Sequence, residues 1–93
     1  MSDIISTHNG FSLQGKVSFD NVLALRLQGE ALIRQNCTID LSHIAGMDAA
    51  IFSLLLCWKR WANARRVTVH FIHAPASIKK MSVLFSLTQL LEI

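Results

Sequence analysis

The side chains that could do chemistry here are four histidines, two cysteines and six carboxylates, and their spacing favours neither catalysis nor metal binding. His70 and His73 lie three positions apart in a predicted strand, so they should point to opposite faces and cannot share a metal. His43 falls in a loop, where a solvated histidine is expected. The sequence contains no nucleophile elbow, zinc-protease motif, phosphate-binding loop or dinucleotide-binding motif. We therefore expect no catalytic residue, metal or cofactor, and a protein that is not an enzyme.

The cysteines and the apolar runs indicate where the chain resides. Cys37 opens a predicted strand and Cys57 lies inside an apolar helix, so both are expected to act as small buried hydrophobic residues. The N-terminus lacks the basic and apolar regions of a signal peptide. The longest apolar run, residues 54–58, is far shorter than the roughly 20 residues that a membrane-spanning helix needs. We expect a cytoplasmic protein without a direct membrane span.

The composition favours one small folded domain over residues 1–93. The chain is 52% hydrophobic and only 16% charged, which supports a packed core and excludes disorder. This apolar content has two interpretations that the sequence leaves open. Either the core is rich in leucine, or part of the apolar surface is exposed as a partner-binding patch.

The net charge of +3 does not indicate nucleic-acid binding. Tyrosine is absent, and the aromatic residues do not alternate with lysine or arginine as a base-stacking surface requires. Arg65 and Arg66 fall where a helix should end, a position at which cations complement the helix dipole. Attraction to an acidic protein surface or to anionic lipid headgroups remains open.

Hydrophobic periodicity predicts strands that alternate with helices. Residues 11–19 predict a strand pair with a turn at 14–16, and Asp20 is expected to cap a helix over 21–34 in which Gly29 allows close packing. The pattern then predicts a strand at 38–42, a loop at 43–48, a helix to residue 66, a strand at 67–72 and a helix after Pro75. In this last helix we expect four residues to be buried: Ile78, Met81, Leu84 and Phe85. This order predicts an α/β fold whose mainly parallel sheet has about four to five strands with helices packed against it.

The helical wheel of residues 51–66 separates a core face from a flank. Phe52 and Leu56 fall on the flank shared with Lys59 and Asn63, so they are the best candidates for an exposed apolar patch. The alternative is that neighbouring elements cover them. The core face comprises Ile51, Leu54, Leu55, Trp58 and Ala62, with Trp61 at its margin.

Residues 38–56, TIDLSHIAGMDAAIFSLLL, resemble the signature of STAS domains. That signature is an apolar strand that ends in Asp-Leu-Ser, a short loop, an Asp followed by Ser or Thr, and an apolar helix. The order of elements extends the resemblance to nearly the whole chain. Within this family, the length and leucine content most resemble the small STAS subunit of Mla-type phospholipid ABC transporters.

The chain departs from this signature at Ala49, the position at which anti-sigma-factor antagonists carry the serine or threonine that accepts phosphate. Alanine has no hydroxyl group, so phosphorylation at this position is chemically excluded, and the resemblance implies constitutive binding. Asp48 is expected to cap the helix. The expected partner-binding residues are Asp48, Ala49, Ala50, Phe52, Leu56 and Lys59.

The resemblance implies a non-enzymatic accessory subunit that binds the ATPase of such a transporter, and through it a permease complex. The protein would then lie in the cytoplasm, peripherally associated with the inner membrane, and support outer-membrane lipid asymmetry. The alternative is a regulatory STAS protein that binds an anti-sigma kinase. Formation of a homodimer through the same patch is also open.

Overall fold

A computed structural model describes residues 3–93 as a five-stranded sheet with four helices. The predicted α/β architecture with a mainly parallel sheet is confirmed, because only the pairing of the first two strands is antiparallel. The strand order is β1-β2-β3-β5, with β4 paired to β2. The strands are β1 (Asp3–Thr7), β2 (Gly10–Val17), β3 (Cys37–Asp40), β4 (Ile44–Met47) and β5 (Val69–Ile72); the helices are α1 (Val22–Leu32), α2 (Ala50–Ala64), α3 (Ala76–Leu84) and α4 (Thr88–Leu91).

Strand β2 is the centre of the sheet, and the predicted turn within it is wrong. β2 pairs with β1 through residues 10–14, with β3 through 10–12 and with β4 through 15–17. Gly15 has a positive φ of 86°, and the pairing with β4 shifts register between Gly15 and Lys16. The glycine therefore lies within a continuous strand and not in a hairpin turn, and the extra residue at the register shift is Ala45 of β4. The hairpin lies earlier and joins β1 to β2 through residues 8–9.

Strand β4 falls in the segment that the sequence predicted as a loop. It has only four residues, of which one is alanine and one is glycine, both poor strand formers. Its pairing with β2 places the start of α2 next to the end of β2, and the Asp48 N–H donates to Val17 O at 3.1 Å. The connection between β3 and α2 is therefore held to the sheet.

Helix α1 begins at Val22, and Asp20 does not cap it. The side chain of Asn21 orders the approach to the helix instead. Its Oδ1 accepts a hydrogen bond from Ser18 N at 3.0 Å, and its Nδ2 donates to Lys16 O at 2.7 Å. Gly29 permits close packing against α2 and not against the sheet, because a Cβ at this position would lie 2.4 Å from ring atoms of Trp58.

Trp58 of α2 lies at the centre of the core and is fully buried. Its ring meets the Phe11 ring edge to face, with centroids 5.2 Å apart, and its Nε1 donates to Arg26 O at 3.2 Å. The alternation predicted for β3 is also confirmed, since Ile39 and Leu41 are fully buried against the helices. Within residues 3–93, none of the helices combines the length and the apolar character needed to cross a bilayer.

The buried stripe predicted for α3 is only partly correct. Ile78 is fully buried, but Leu84 is 78% exposed and Phe85 is 49% exposed. The helix ends at Leu84, and Ser86 then turns the chain with a φ of 58° while Leu87 N donates to Ser82 O at 2.8 Å. Helical spacing does not predict the burial of Phe85, which lies beyond the end of the helix, and Leu84 is the last helical residue.

Candidate functional site

Asp48 caps the start of α2, as the sequence predicted. Its Oδ1 accepts a hydrogen bond from Ala50 N at 2.8 Å, and its Oδ2 accepts one from Phe19 N at 3.3 Å. Ala49 already has helical dihedral angles, so Asp48 occupies the position from which a side chain reaches the free N–H groups of the first turn. The carboxylate also matches the positive end of the helix dipole. Asp48 therefore fixes the position of this turn relative to the end of β2.

Replacing Asp48 by alanine is expected to lower the free energy of unfolding by about 1 kcal/mol, because the Ala50 and Phe19 N–H groups lose their acceptor. Urea unfolding followed by circular dichroism measures the change. Asp20→Ala is the matched control, since Asp20 is an exposed carboxylate that does not cap α1; it should stay within about 0.5 kcal/mol of the parent. Equal losses in the two variants would contradict the capping role.

The structure separates the other residues of the first turn into exposed and buried positions. Ala49 is exposed, whereas Ala50 and Phe52 are only 1% and 3% exposed. The expectation that Phe52 forms an exposed patch is therefore wrong. The Phe85 ring covers it edge to face, with centroids 5.5 Å apart. The wheel placed Phe52 on the flank correctly but could not show that the end of α3 packs there.

Leu56 and Lys59 lie further along α2 and line a cleft that does not include the start of the helix. Leu56 is half-buried and lines a cleft of about 480 Å³ beside β5 and α4. Lys59 also lines it, but its Nζ donates to Val69 O at 2.8 Å and lies 3.8 Å from Glu92 Oε1. The ammonium is also 5.6 Å from the centre of the Phe71 ring. The charge of Lys59, an expected partner-binding residue, is therefore engaged by groups of the protein itself.

The exposed apolar side chains next to the start of α2 come from the end of α3. Leu84 and Phe85 lie there, and Val83 beside them is 66% exposed. Sequence analysis missed this feature because it assigned Leu84 and Phe85 to the core. We define the α2–α3 surface as Ala49, Ser53, Leu84 and Phe85, all of which are exposed. It consists of small residues at the start of α2, Ala49 and Ser53, and of exposed apolar residues at the end of α3, Leu84 and Phe85.

A polar cluster at the carboxyl end of β3 was also missed. Asp40 Oδ1 accepts a hydrogen bond from Ser42 N at 2.9 Å and lies 3.5 Å from His73 Nδ1. The pKa of Asp40 is lowered, chiefly by the Ser42 N–H bond and further by the Ser42 hydroxyl and the nearby His73, although partial burial opposes the shift. His43 Nδ1 lies 3.1 Å from Ser42 Oγ and 3.5 Å from Ser12 Oγ.

The Asp40 carboxylate contacts His73, whereas His43 faces the two hydroxyl groups. Within residues 3–93, the contacts of this cluster therefore do not join a carboxylate, a histidine and a serine in the order that activates a hydroxyl nucleophile. His70 and His73 also remain separate, the first in β5 and the second just beyond it. Within residues 3–93, histidine, cysteine and acidic side chains form no group of three or more that could hold a metal ion.

Comparison with known protein families identifies the domain. A family model described as "Mlab, STAS domain" matches residues 6–92, which include most of the chain and the whole α2–α3 surface. No curated protein matches the chain.

Proposed function

Since this chain belongs to the STAS family and is of the MlaB type, we propose that it is a non-enzymatic accessory subunit that binds the ATPase of an Mla-type phospholipid ABC transporter. In this role it supports the assembly or activity of the ATPase and, through it, of a permease complex. The protein then works in the cytoplasm at the inner membrane, and its transporter maintains the lipid asymmetry of the outer membrane.

The observation that carries this proposal is the α2–α3 surface. Ala49 is exposed at the helix start, where a phosphorylated relative would carry a hydroxyl group, so no phosphate can be added there to block a partner. Phe85, which is 49% exposed, lies on Phe52 of α2, and Leu84 precedes it in the chain and is 78% exposed. Exposed apolar residues often mark a binding surface. In an interface, such residues contribute most of the binding energy when they lie at its centre and the contacts around them exclude water.

Phe85 is suited to anchor a partner because it is already held in place. Its ring lies edge to face on the buried Phe52, so little side-chain freedom is lost when the exposed edge becomes covered. Leu84 has no such support and contributes chiefly the apolar area that a partner would bury. Asp48 fixes the helix start through its bonds to Ala50 N and Phe19 N. The surface is therefore largely preorganised.

Co-purification of the tagged protein with its ATPase tests the proposal. Leu84→Asp is expected to weaken the complex by at least about thirtyfold, because a desolvated interface centre does not tolerate a carboxylate. Leu84 is exposed, so the isolated chain should keep its circular dichroism spectrum and its unfolding midpoint. The matched control is Leu23→Asp, a similarly exposed leucine of α1, which should keep the complex.

Three outcomes would overturn the assignment. Recovery of an anti-sigma kinase in place of an ATPase and permease would favour a regulatory STAS protein. Equal loss of the complex with Leu84→Asp and Leu23→Asp would show that the α2–α3 surface is not the contact. The third outcome concerns the native mass of the free protein. A mass twice that of the monomer, which falls to the monomer mass in the Leu84→Asp variant, would show that this surface forms a homodimer.

A further inference from the structure

The outer sides of α1 and α2 form a second surface, which is rich in arginine. Trp61 lines two neighbouring clefts there. One cleft also has Arg34 and Arg65 in its lining, and the other has Arg26 and Arg60. We define the α1–α2 face as these residues together with the exposed Leu23 and Leu27 of α1, and with Glu30, which lines both clefts.

The whole net charge of the protein lies on this face. Its four arginines are opposed by one carboxylate, Glu30, whose Oε2 lies 3.2 Å from Arg26 Nε and whose side chain is only 10% exposed. The five other lysine and arginine residues of the sequence are matched in number by the five other acidic residues, so the remainder of the chain sums to zero. A charge of +3 thus falls on this face, with Arg26 and Arg60 on the helices and Arg34 and Arg65 just beyond their ends.

Apolar and aromatic groups are interleaved with these cations. Leu23 and Leu27 lie one helical turn apart and are 62% and 54% exposed, and Leu23 lies one turn before Arg26. The Arg65 guanidinium stacks on the Trp61 ring, 3.3 Å from its centre. The face therefore presents cations for phosphate groups and, beside them, leucines for an apolar phase.

From this combination we propose that the α1–α2 face docks on the surface of an anionic phospholipid bilayer. Guanidinium groups bind phosphate in a bidentate manner, and clustered basic residues are attracted to anionic lipids. Leucines next to them gain stability when they enter the boundary between headgroups and acyl chains. An acidic protein surface would match the arginines but leave the leucines against polar groups. This inference concerns a surface distinct from the α2–α3 surface and goes beyond the proposed function.

Sedimentation of the intact chain with vesicles tests this docking. The chain should bind vesicles of phosphatidylcholine and phosphatidylglycerol in equal parts, should not bind pure phosphatidylcholine, and should dissociate as salt is added. The double variant Arg34→Gln and Arg60→Gln is expected to lower vesicle partitioning by more than about tenfold, since each cation near an anionic surface contributes about fivefold. Lys79→Gln with Lys80→Gln removes the same charge from α3 and should leave partitioning within about twofold.

Leucine variants and soluble competitors test whether the ligand of this face is a bilayer or another anion. Replacement of Leu23 and Leu27 by serine should weaken vesicle binding severalfold; an unchanged affinity would show a purely electrostatic contact and overturn the proposal. Displacement by millimolar inorganic phosphate would indicate a discrete anion site, and stronger binding to polyglutamate than to vesicles would indicate an acidic protein partner. Equal losses in the arginine and lysine variants, or no vesicle binding at all, would also contradict it. The arginine variant should still co-purify the ATPase, so this proposal can fail separately from the proposed function.

Discussion

Replacing Trp58 by alanine is expected to lower the free energy of unfolding by about 3–5 kcal/mol, the range for removing a large aromatic side chain from a core. Trp58 is fully buried, packs edge to face on Phe11, and donates its Nε1 proton to Arg26 O. The substitution removes these contacts and leaves a cavity between α1 and the sheet. Urea unfolding followed by circular dichroism measures the loss.

A substitution at Gly29 tests whether α1 needs a glycine there because the Trp58 ring lies against it. In the parent, Gly29→Ala should cost about 1–3 kcal/mol, because the new Cβ would lie 2.4 Å from the Trp58 ring. In the Trp58→Ala background that ring is absent, and the same change should cost little or add stability through the better helix propensity of alanine. If the cost of Gly29→Ala is the same in both backgrounds, the ring is not what the glycine accommodates.

Replacing Phe52 by aspartate is expected to lower the free energy of unfolding by about 3–5 kcal/mol or more. Phe52 is 3% exposed and lies under the Phe85 ring, so the carboxylate would be buried without a partner. The thermal unfolding midpoint and the near-ultraviolet circular dichroism spectrum measure the change. A loss of partner binding in this variant would therefore report unfolding rather than a missing contact.

The neighbouring position provides the control for this prediction. Ser53 is exposed, so Ser53→Asp introduces the same charge one residue further along α2 and should change stability by less than about 0.5 kcal/mol. Phe52→Leu keeps an apolar side chain and should cost less than about 1.5 kcal/mol. A folded and stable Phe52→Asp variant would show that Phe85 swings away and that Phe52 belongs to the surface after all.

The sequence predicted those parts of the fold in which the apolar pattern is strong and long. Ile39 and Leu41 alternate with polar residues, and α2 carries a broad apolar face around Trp58, so β3 and α2 were predicted at nearly their observed positions. Strand β1 was missed because Ile4 and Ile5 are adjacent and do not alternate over a long run. Strand β4 was missed because pairing with β2, and not its own composition, makes it a strand.

The burial of the candidate site residues was predicted only in part. The cap at Asp48 and the missing hydroxyl group at Ala49 could be predicted from the sequence. Both depend only on the residue type and on where the helix starts. Phe52 and Leu84 exchanged roles, because their burial depends on how the end of α3 packs on α2. A wheel describes one helix and carries no information on such contacts between helices.

Ala49 has a consequence for how the amount of complex is set. If the proposed function holds, the absence of a group that can be phosphorylated at Ala49 leaves occupancy of the α2–α3 surface to mass action between this chain and its partner. Copy number would then take the place of a phosphate at this position, and the ratio of the two proteins would determine how many transporters carry the subunit. A partner present at a hundred times its dissociation constant would stabilise the folded chain by about 2.7 kcal/mol, so the melting temperature of the chain would serve as a gauge of partner concentration.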